Sequence, residues 1–332
     1  MKKFVLAASA VALLCMLLPL ISLAQDASSP FVVTDGVSSV HIFPTQDYLQ
    51  QLKENGLAAP APALSYHGGP VMVTQNTYAI FWLPSSGKLQ NGAPTHMSAK
   101  YQPVLKAFLA DYAGHGISNN STQYYQIVGS TTTYIHNTFG FAAAVVDGDA
   151  YPASGCHDSA TPGNCITDAQ IQAEITKVIA AQHWTPGPTA MFLMFTSSGE
   201  GSCFNSGSSS CAFTQYCAYH GDYSSSGKTV IYGNEPYLDK AGCTISKLPN
   251  GDLASDSSAN VASHEITEAA TDPQLNAWWD SGNGEEIGDL CAWNFGSSTW
   301  DGGLANQMWN GDFYELQMEY DNHTSTCVQL GP

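Results

Sequence analysis

Residues 257–273 read SSANVASHEITEAATDP and bring His264, Glu265 and Glu268 together in a chain otherwise poor in charge. An imidazole and a carboxylate four apart on a helix lie on one face, a turn apart, where both can reach one cation. The pattern departs from the zinc-binding H-E-x-x-H by Glu268 in place of the second histidine, and a carboxylate is a competent zinc ligand. Glu265 then sits one residue round, where a general base for a metal-held water belongs. A third ligand is expected from GEEIGDLC, which supplies Glu285, Glu286 and Asp289 at 21, 22 and 25 positions past His264. Glu286 and Asp289, three apart, are expected to share a helical face. Glu286 is the first choice as ligand and Asp289 the second, with the other orienting His264 through its free ring nitrogen.

Two carboxylates and one histidine make a neutral zinc site, a weaker Lewis acid than the usual two histidines and one glutamate. Such a donor set also accepts manganese or calcium. Metal binding is therefore better supported than proteolysis. An ordinary reading stands beside it, since acidic residues on an exposed helix are stabilising on dipole grounds alone.

Other residues offer weaker signals. His220, in CAYHGDY, is a candidate substrate-side donor or extra ligand; His67, in YHGGP, reads as part of a turn. Trp278, Trp279, Trp293, Trp300 and Trp309 fall close together, as core if buried or as a sugar-stacking platform if exposed. No G-x-S-x-G elbow and no phosphate loop occurs, which removes serine-hydrolase and nucleotide-enzyme readings. A glycosidase could pair Glu265 or Glu268 with Glu286 or Asp289 across a sugar cleft.

The elements needed to hold these groups are partly legible. Thr77–Leu83, Phe141–Val146, Ala190–Phe195 and Lys228–Tyr232 read as strands, rich in β-branched and aromatic residues. Apolar residues from Tyr101 to Tyr112 recur at helical spacing, and a Thr167/Gln170 capping box opens a second helix carrying Ile171, Ile175, Val178 and Ile179. The helix with His264 is expected to be capped by Asp256, Ser257 or Ser258 and ended by Pro273. Residues 197–227 read as a Cys-, Gly- and Ser-rich loop. Strands alternating with helices early, and loops late, predict an α+β domain.

Residues 1–24 carry Lys2, Lys3, an apolar run and Ser22-Leu23-Ala24, a secretory signal expected to be cleaved after Ala24. Residues 25–62 read as a leader and loose linker, or a propeptide, ahead of one α+β domain over 63–332 with a C-terminal lobe from about 273. Cys15 falls in the signal. The other eight cysteines predict up to four disulfides, with Cys156/Cys165 and Cys203/Cys211 the natural local loops. There are 28 acidic residues against 10 lysines and no arginine, which makes nucleic acid and anionic membranes poor partners.

Several stretches, SYHGGPVMVTQNTYAIFWL, CAFTQYCAYHGDY, LPNGDLASDSSANVASHEITEAATDPQLNAWWD and EEIGDLCAWNFG, together resemble the EXORDIUM-like, phosphate-induced secreted proteins of plant cell walls. The family's H-E-(L/I)-x-E helix is matched by His264, Glu265 and Glu268. Its acidic segment is matched by Glu286, Asp289, Leu290 and Cys291. The resemblance implies a secreted, disulfide-bonded protein with a zincin-like helix, and leaves activity open.

The expected protein is therefore a secreted, metal-dependent hydrolase, a zinc peptidase first, acting on an extracellular peptide, protein or cell-wall substrate. His264, Glu268 and Glu286 or Asp289 hold the metal, Glu265 acts as base with His220 beside it, and the strand Lys228–Tyr232 aligns a substrate by edge pairing. The competing expectation is a non-catalytic wall, glycan or protein-binding module with a structural ion.

Overall fold

A computed structural model describes Gln25, residues 29–58 and residues 63–332. The predicted signal segment, residues 1–24, lies outside the described residues.

The protein is a mixed α+β structure built on one seven-stranded sheet. Its strands are β1 (Val32–Thr34), β2 (Ser39–Pro44), β3 (Gln75–Trp82), β4 (Phe139–Asp147), β5 (Ala190–Phe195), β6 (Tyr216–Ser225) and β7 (Lys228–Glu235), in the spatial order β1-β2-β6-β7-β5-β3-β4. The β1-β2-β6-β7 part is antiparallel. The β7-β5-β3-β4 part is parallel, as helical crossovers require.

Helices cover both faces. Along β3 and β5 the side chains alternate: Ala79, Phe81, Met191, Leu193 and Phe195 join one core, and Ile80, Trp82, Phe192 and Met194 the other. Helix α2 (Tyr101–Asp111) and helix α4 (Leu253–Thr271) pack on the first face. Helix α3 (Asp168–Ala181) lays Ile171, Ile175, Val178 and Ile179 on the second, with the Thr167/Gln170 capping box formed. A short α1 (Gln46–Glu54) follows β2. Trp278, Ile287, Trp309, Tyr314 and Leu316, all beyond residue 273, belong to the same core cluster as α2 and α4.

Three local expectations are overturned. Residues 32–54 are not a linker: they form two strands and a helix, and β2 is paired on both sides. Its run Val40-His41-Ile42-Phe43 is fully buried, a β-forming stretch masked by the polar composition around it. Within residues 197–227, Tyr216–Ser225 is strand β6, the partner of β7 in a hairpin. Its two-residue turn, Ser226-Gly227, has positive φ at both positions (51° and 75°), the conformation that matches strand twist. As a result β7 lies between β6 and β5, pairing with β6 from Lys228 to Asn234 and with β5 from Ile231 to Glu235. Ile231 and Tyr232 are thus closed to the expected edge pairing of a substrate, which Lys228–Val230 alone leave open.

Four disulfides close the described chain: Cys156–Cys165, Cys203–Cys211, Cys217–Cys243 and Cys291–Cys327. The first two are the expected local loops. Cys217–Cys243 ties β6 to the approach to α4, and Cys291–Cys327 clamps the turn that carries Asp289. That last loop spans 36 residues, and closing it restrains the unfolded chain by roughly 4 kcal/mol. Replacing both Cys291 and Cys327 with Ala is expected to lower unfolding free energy in urea by about 3–4 kcal/mol; a loss below about 1 kcal/mol would show that this clamp is incidental.

Candidate metal centre

Helix α4 is the floor of the site. Asp252 caps it by accepting from the Ser255 amide at 3.0 Å, a turn ahead of the expected caps. Asp256 instead accepts from Asn250 Nδ2 at 2.7 Å. The helix is buried on nearly every side, not on one stripe; its Ala, Ser and Thr residues let the sheet and the loops approach closely. At the other end Asp272 accepts from the Asn276 and Ala277 amides at 2.6 and 2.7 Å, which turns the chain back toward the site.

Strands β2 and β6 form the wall above it. His41 and His220 are directly paired across these strands, so their side chains leave the sheet on the same side, toward α4. The rings lie 5.7 Å apart. His41 Nε2 is 2.6 Å from Asp289 Oδ2 and 4.0 Å from Glu268 Oε2. His220 Nδ1 is 3.1 Å from Glu265 Oε2 and 3.7 Å from Glu268 Oε2. Two residues on from His41, Phe43 stacks on the His264 ring at 4.0 Å between centroids, and Trp293 stacks on Phe43.

The third wall is the segment from Glu286 to Cys291. It is not the expected helix but coil ending in a single 3-10 turn, Asp289–Cys291. Gly288 explains the irregularity: a Cβ there would stand 2.4 Å from His264 Nδ1 and 3.0 Å from Glu268 Oε1. With no side chain in the way, the Gly288 and Asp289 amides donate to Glu268 Oε1 at 3.2 and 3.1 Å. That leaves Glu268 Oε2 turned to the three imidazoles.

The site residues expected from the sequence, His220, His264, Glu265, Glu268, Glu286 and Asp289, all meet here, and each has under 5% of its surface exposed. Their arrangement differs from expectation in two respects. Gln317 Nε2 donates to the Gly288 carbonyl at 3.0 Å, and its Oε1 accepts from the Trp293 amide, which fixes the amide orientation. The same Nε2 lies 3.0 Å from His264 Nδ1, so Gln317, and not Glu286 or Asp289, meets the far nitrogen of that ring. His264, expected as the first metal ligand, turns Nε2 into the cluster 3.0 Å from Glu268 Oε2, and neither atom has a hydrogen-bond partner among the described residues. Glu286, the preferred carboxylate, lies behind the other histidines: Oε1 is 3.1 Å from His41 Nδ1 and Oε2 is 3.8 Å from His220 Nε2. Asp289 faces the ligand side of His41. Glu285 points elsewhere, accepting from Asn283 Nδ2.

His41 was not among the expected site residues, and neither were Gln25, Asp272, Gln317 and Glu319. Only His41 left a trace, as a histidine within a run of strand-forming residues. Gln25 closes the cluster from above, its Oε1 3.2 Å from His41 Nδ1 and its Nε2 donating to the Gly284 carbonyl. It also walls a surface cavity of about 310 Å³. Of the tryptophans, Trp278, Trp279 and Trp309 are buried and only Trp300 is largely exposed, so no aromatic platform forms. His67 stacks on Trp279 and stays outside the cluster.

Burial sets the electrostatics. It lowers His264 to about 4 and puts His220 well below its usual value, so both are neutral. Burial, reinforced by neighbouring carboxylates, raises Glu265, Glu268 and Glu286 well above the normal range. Asp272 and Glu285 rise to about 8 for the same first cause. Glu265 Oε1, Glu268 Oε2, both oxygens of Glu286 and Asp289 Oδ1 find no hydrogen-bond partner among the described residues. Buried ionised carboxylates without partners cost several kcal/mol each, and a cation among them removes that cost. Neutral imidazoles and unpartnered carboxylate oxygens facing one another are the donor set a divalent ion takes.

Against known proteins, the chain is 42% identical over 67 residues to Protein EXORDIUM-like 3 of Arabidopsis thaliana. The match covers 19% of this chain and 20% of that protein, a small part of either. No family model and no solved structure matches. The match hints at the EXORDIUM-like family, and the disulfides fit an extracellular protein. No described helix is long and apolar enough to cross a membrane.

The raised carboxyl groups hold protons in the folded chain that the unfolded chain releases. Their stabilisation is complete below about pH 4 and is lost as pH rises toward 8 and beyond. His220 and His264 act oppositely, losing stability as pH falls below 6.5, but the carboxyls outnumber them. Metal-stripped protein is expected to melt at a higher temperature at pH 5.5 than at pH 8, with zinc closing the gap by stabilising the pH 8 form. A stripped protein more stable at pH 8 would contradict this electrostatic account.

Proposed function

We propose that this is a secreted, metal-dependent hydrolase, with peptide bonds as the first substrate class. The observation that carries the reading is the convergence of three buried imidazoles and unpartnered buried carboxylate oxygens around Glu268 Oε2. His41, Glu268 and Asp289 offer one ligand atom each within 4.8 Å of one another. Zinc suits this mixed set, and manganese and calcium are the alternatives its oxygen content admits. When bound, such a cation polarises a carbonyl and acidifies water.

The chain's own groups supply the rest. Glu265 keeps Oε1 unpartnered, the atom placed to accept a proton, while its Oε2 lies against His220 Nδ1. Its raised proton affinity suits a group that must take up a proton and pass it to a leaving amine. The Glu268 oxygen not facing the histidines is held by two backbone amides, so the ligand cannot swing away.

One observation favours a second reading. Every imidazole and carboxylate of the cluster is buried, which suits an extracellular module carrying a structural ion on a wall glycan or protein. The same burial disfavours a carboxylate-pair glycosidase, whose acids must flank the sugar.

Glu265→Gln separates the two. A hydrolase is expected to lose at least about 100-fold in turnover of a peptide library while the protein stays folded and keeps the metal held by His41, Glu268 and Asp289. Unchanged turnover in that variant would remove Glu265 from the chemistry, and no turnover by metal-loaded protein, either unaltered or with Gln25→Ala to open the cluster, would leave the structural ion.

A further inference from the structure

We propose that the cluster holds two divalent cations sharing Glu268, an inference that rests on reading the cluster as a metal centre. Two ligand groups are present, His41 with Glu268 and Asp289, and His220 with Glu265 and Glu268, each with its donor atoms within 4.8 Å. They have only Glu268 in common. Its Oε1 is engaged by the Gly288 and Asp289 amides, so Oε2 is the shared atom, with His220 Nδ1 on one side at 3.7 Å and His41 Nε2 on another at 4.0 Å.

The histidines present different nitrogens to the two groups. His41 offers Nε2, with Nδ1 turned to Gln25 and Glu286; His220 offers Nδ1, with Nε2 turned to the Asp272 carbonyl and Glu286. Each ring thus has an acceptor for a proton on its far nitrogen and turns the other nitrogen toward the carboxylates, His41 Nε2 to Asp289 Oδ2 at 2.6 Å and His220 Nδ1 to Glu265 Oε2 at 3.1 Å, where a bound ion would take the place of the shared proton. Glu286 serves both rings at once, which ties the two positions together. It is a positioning residue for the pair.

Charge decides between one ion and two. Glu265, Glu268, Glu286 and Asp289 carry four negative charges when ionised, and no lysine pairs with any of them among the described residues. One divalent ion leaves two of these four charges uncompensated; two ions neutralise all four, with the neighbouring Glu235, Asp272 and Glu319 holding their protons, as burial favours. Glu265 Oε1, Glu268 Oε2 and Asp289 Oδ1 are buried and without hydrogen-bond partners, as ligands aimed at ions are. Ions bridged by one carboxylate sit about 3.5–4 Å apart, close enough to hold one water between them, with Glu265 Oε1 left to take its proton.

The test is metal counting on the full secreted chain dialysed against zinc or manganese, by plasma mass spectrometry. About two ions per chain are expected, falling to about one in His41→Ala and in His220→Ala separately. One ion per chain in the unaltered protein would overturn the pair while keeping the metal centre. None would overturn both. Should either alanine variant fail to fold, electron paramagnetic resonance of the manganese-loaded protein decides alone: a spin-coupled pair supports two ions, and the spectrum of isolated manganese at full loading refutes them.

Discussion

The fold of this chain is organised around a concentration of buried acid with no base to meet it. Glu235, Glu265, Glu268, Asp272, Glu286, Asp289 and Glu319 are all buried within mutual electrostatic reach, in a protein without arginine. Left alone, Glu235, Glu265, Glu268, Asp272, Glu286 and Glu319 must either hold their protons, as their raised affinities indicate, or ionise at a cost that exceeds the net stability of an ordinary domain. Backbone amides relieve part of this load at Glu268 and Asp272. The remaining oxygens face three imidazoles, of which burial keeps those of His220 and His264 neutral. That complementarity is the reason for treating the cluster as a metal centre rather than a patch of unpaired charge.

Each structural element answers a requirement of that centre. The antiparallel pairing of β2 with β6 sets His41 beside His220. The small residues of α4 allow the sheet to come down onto Glu265 and Glu268. Gly288 removes the one Cβ that would separate the loop from the helix, and Cys291–Cys327 fixes that loop a turn after Asp289. Phe43 stacks against His264 with Trp293 behind it, and Gln317 Nε2 meets His264 Nδ1. The strong local order is thus spent on orienting a few polar atoms in a dry interior, where a small displacement has a large electrostatic effect.

How much of this the sequence disclosed follows from which signals are local. Helices α2 and α3, strands β3, β5 and most of β7, and the two short disulfide loops were legible because periodicity, capping and spacing act over a few residues. The two stretches HEITE and EEIGDL marked the site for the same reason. His41 was hidden because its strand sits in a segment whose overall composition resembles a linker; only pairing with β6, some 180 residues away, makes it a strand. β6 itself was obscured by the glycines and serines around it. The roles of His264, Glu286 and Asp289 were not legible, since the nitrogen a histidine presents depends on Gln317 and Gln25, residues remote in the chain. The position of β7 inside the sheet was equally a matter of topology.

The most direct test of a cation-centred cluster is anomalous diffraction from crystals grown with zinc, recorded above and below the metal edge. The account predicts an anomalous peak within about 2.0–2.2 Å of Glu268 Oε2, with imidazole nitrogen from β2 or β6 in its coordination shell. A map without anomalous signal, in which the carboxyl groups of Glu265, Glu268, Glu286 and Asp289 pair through shared protons, would contradict it.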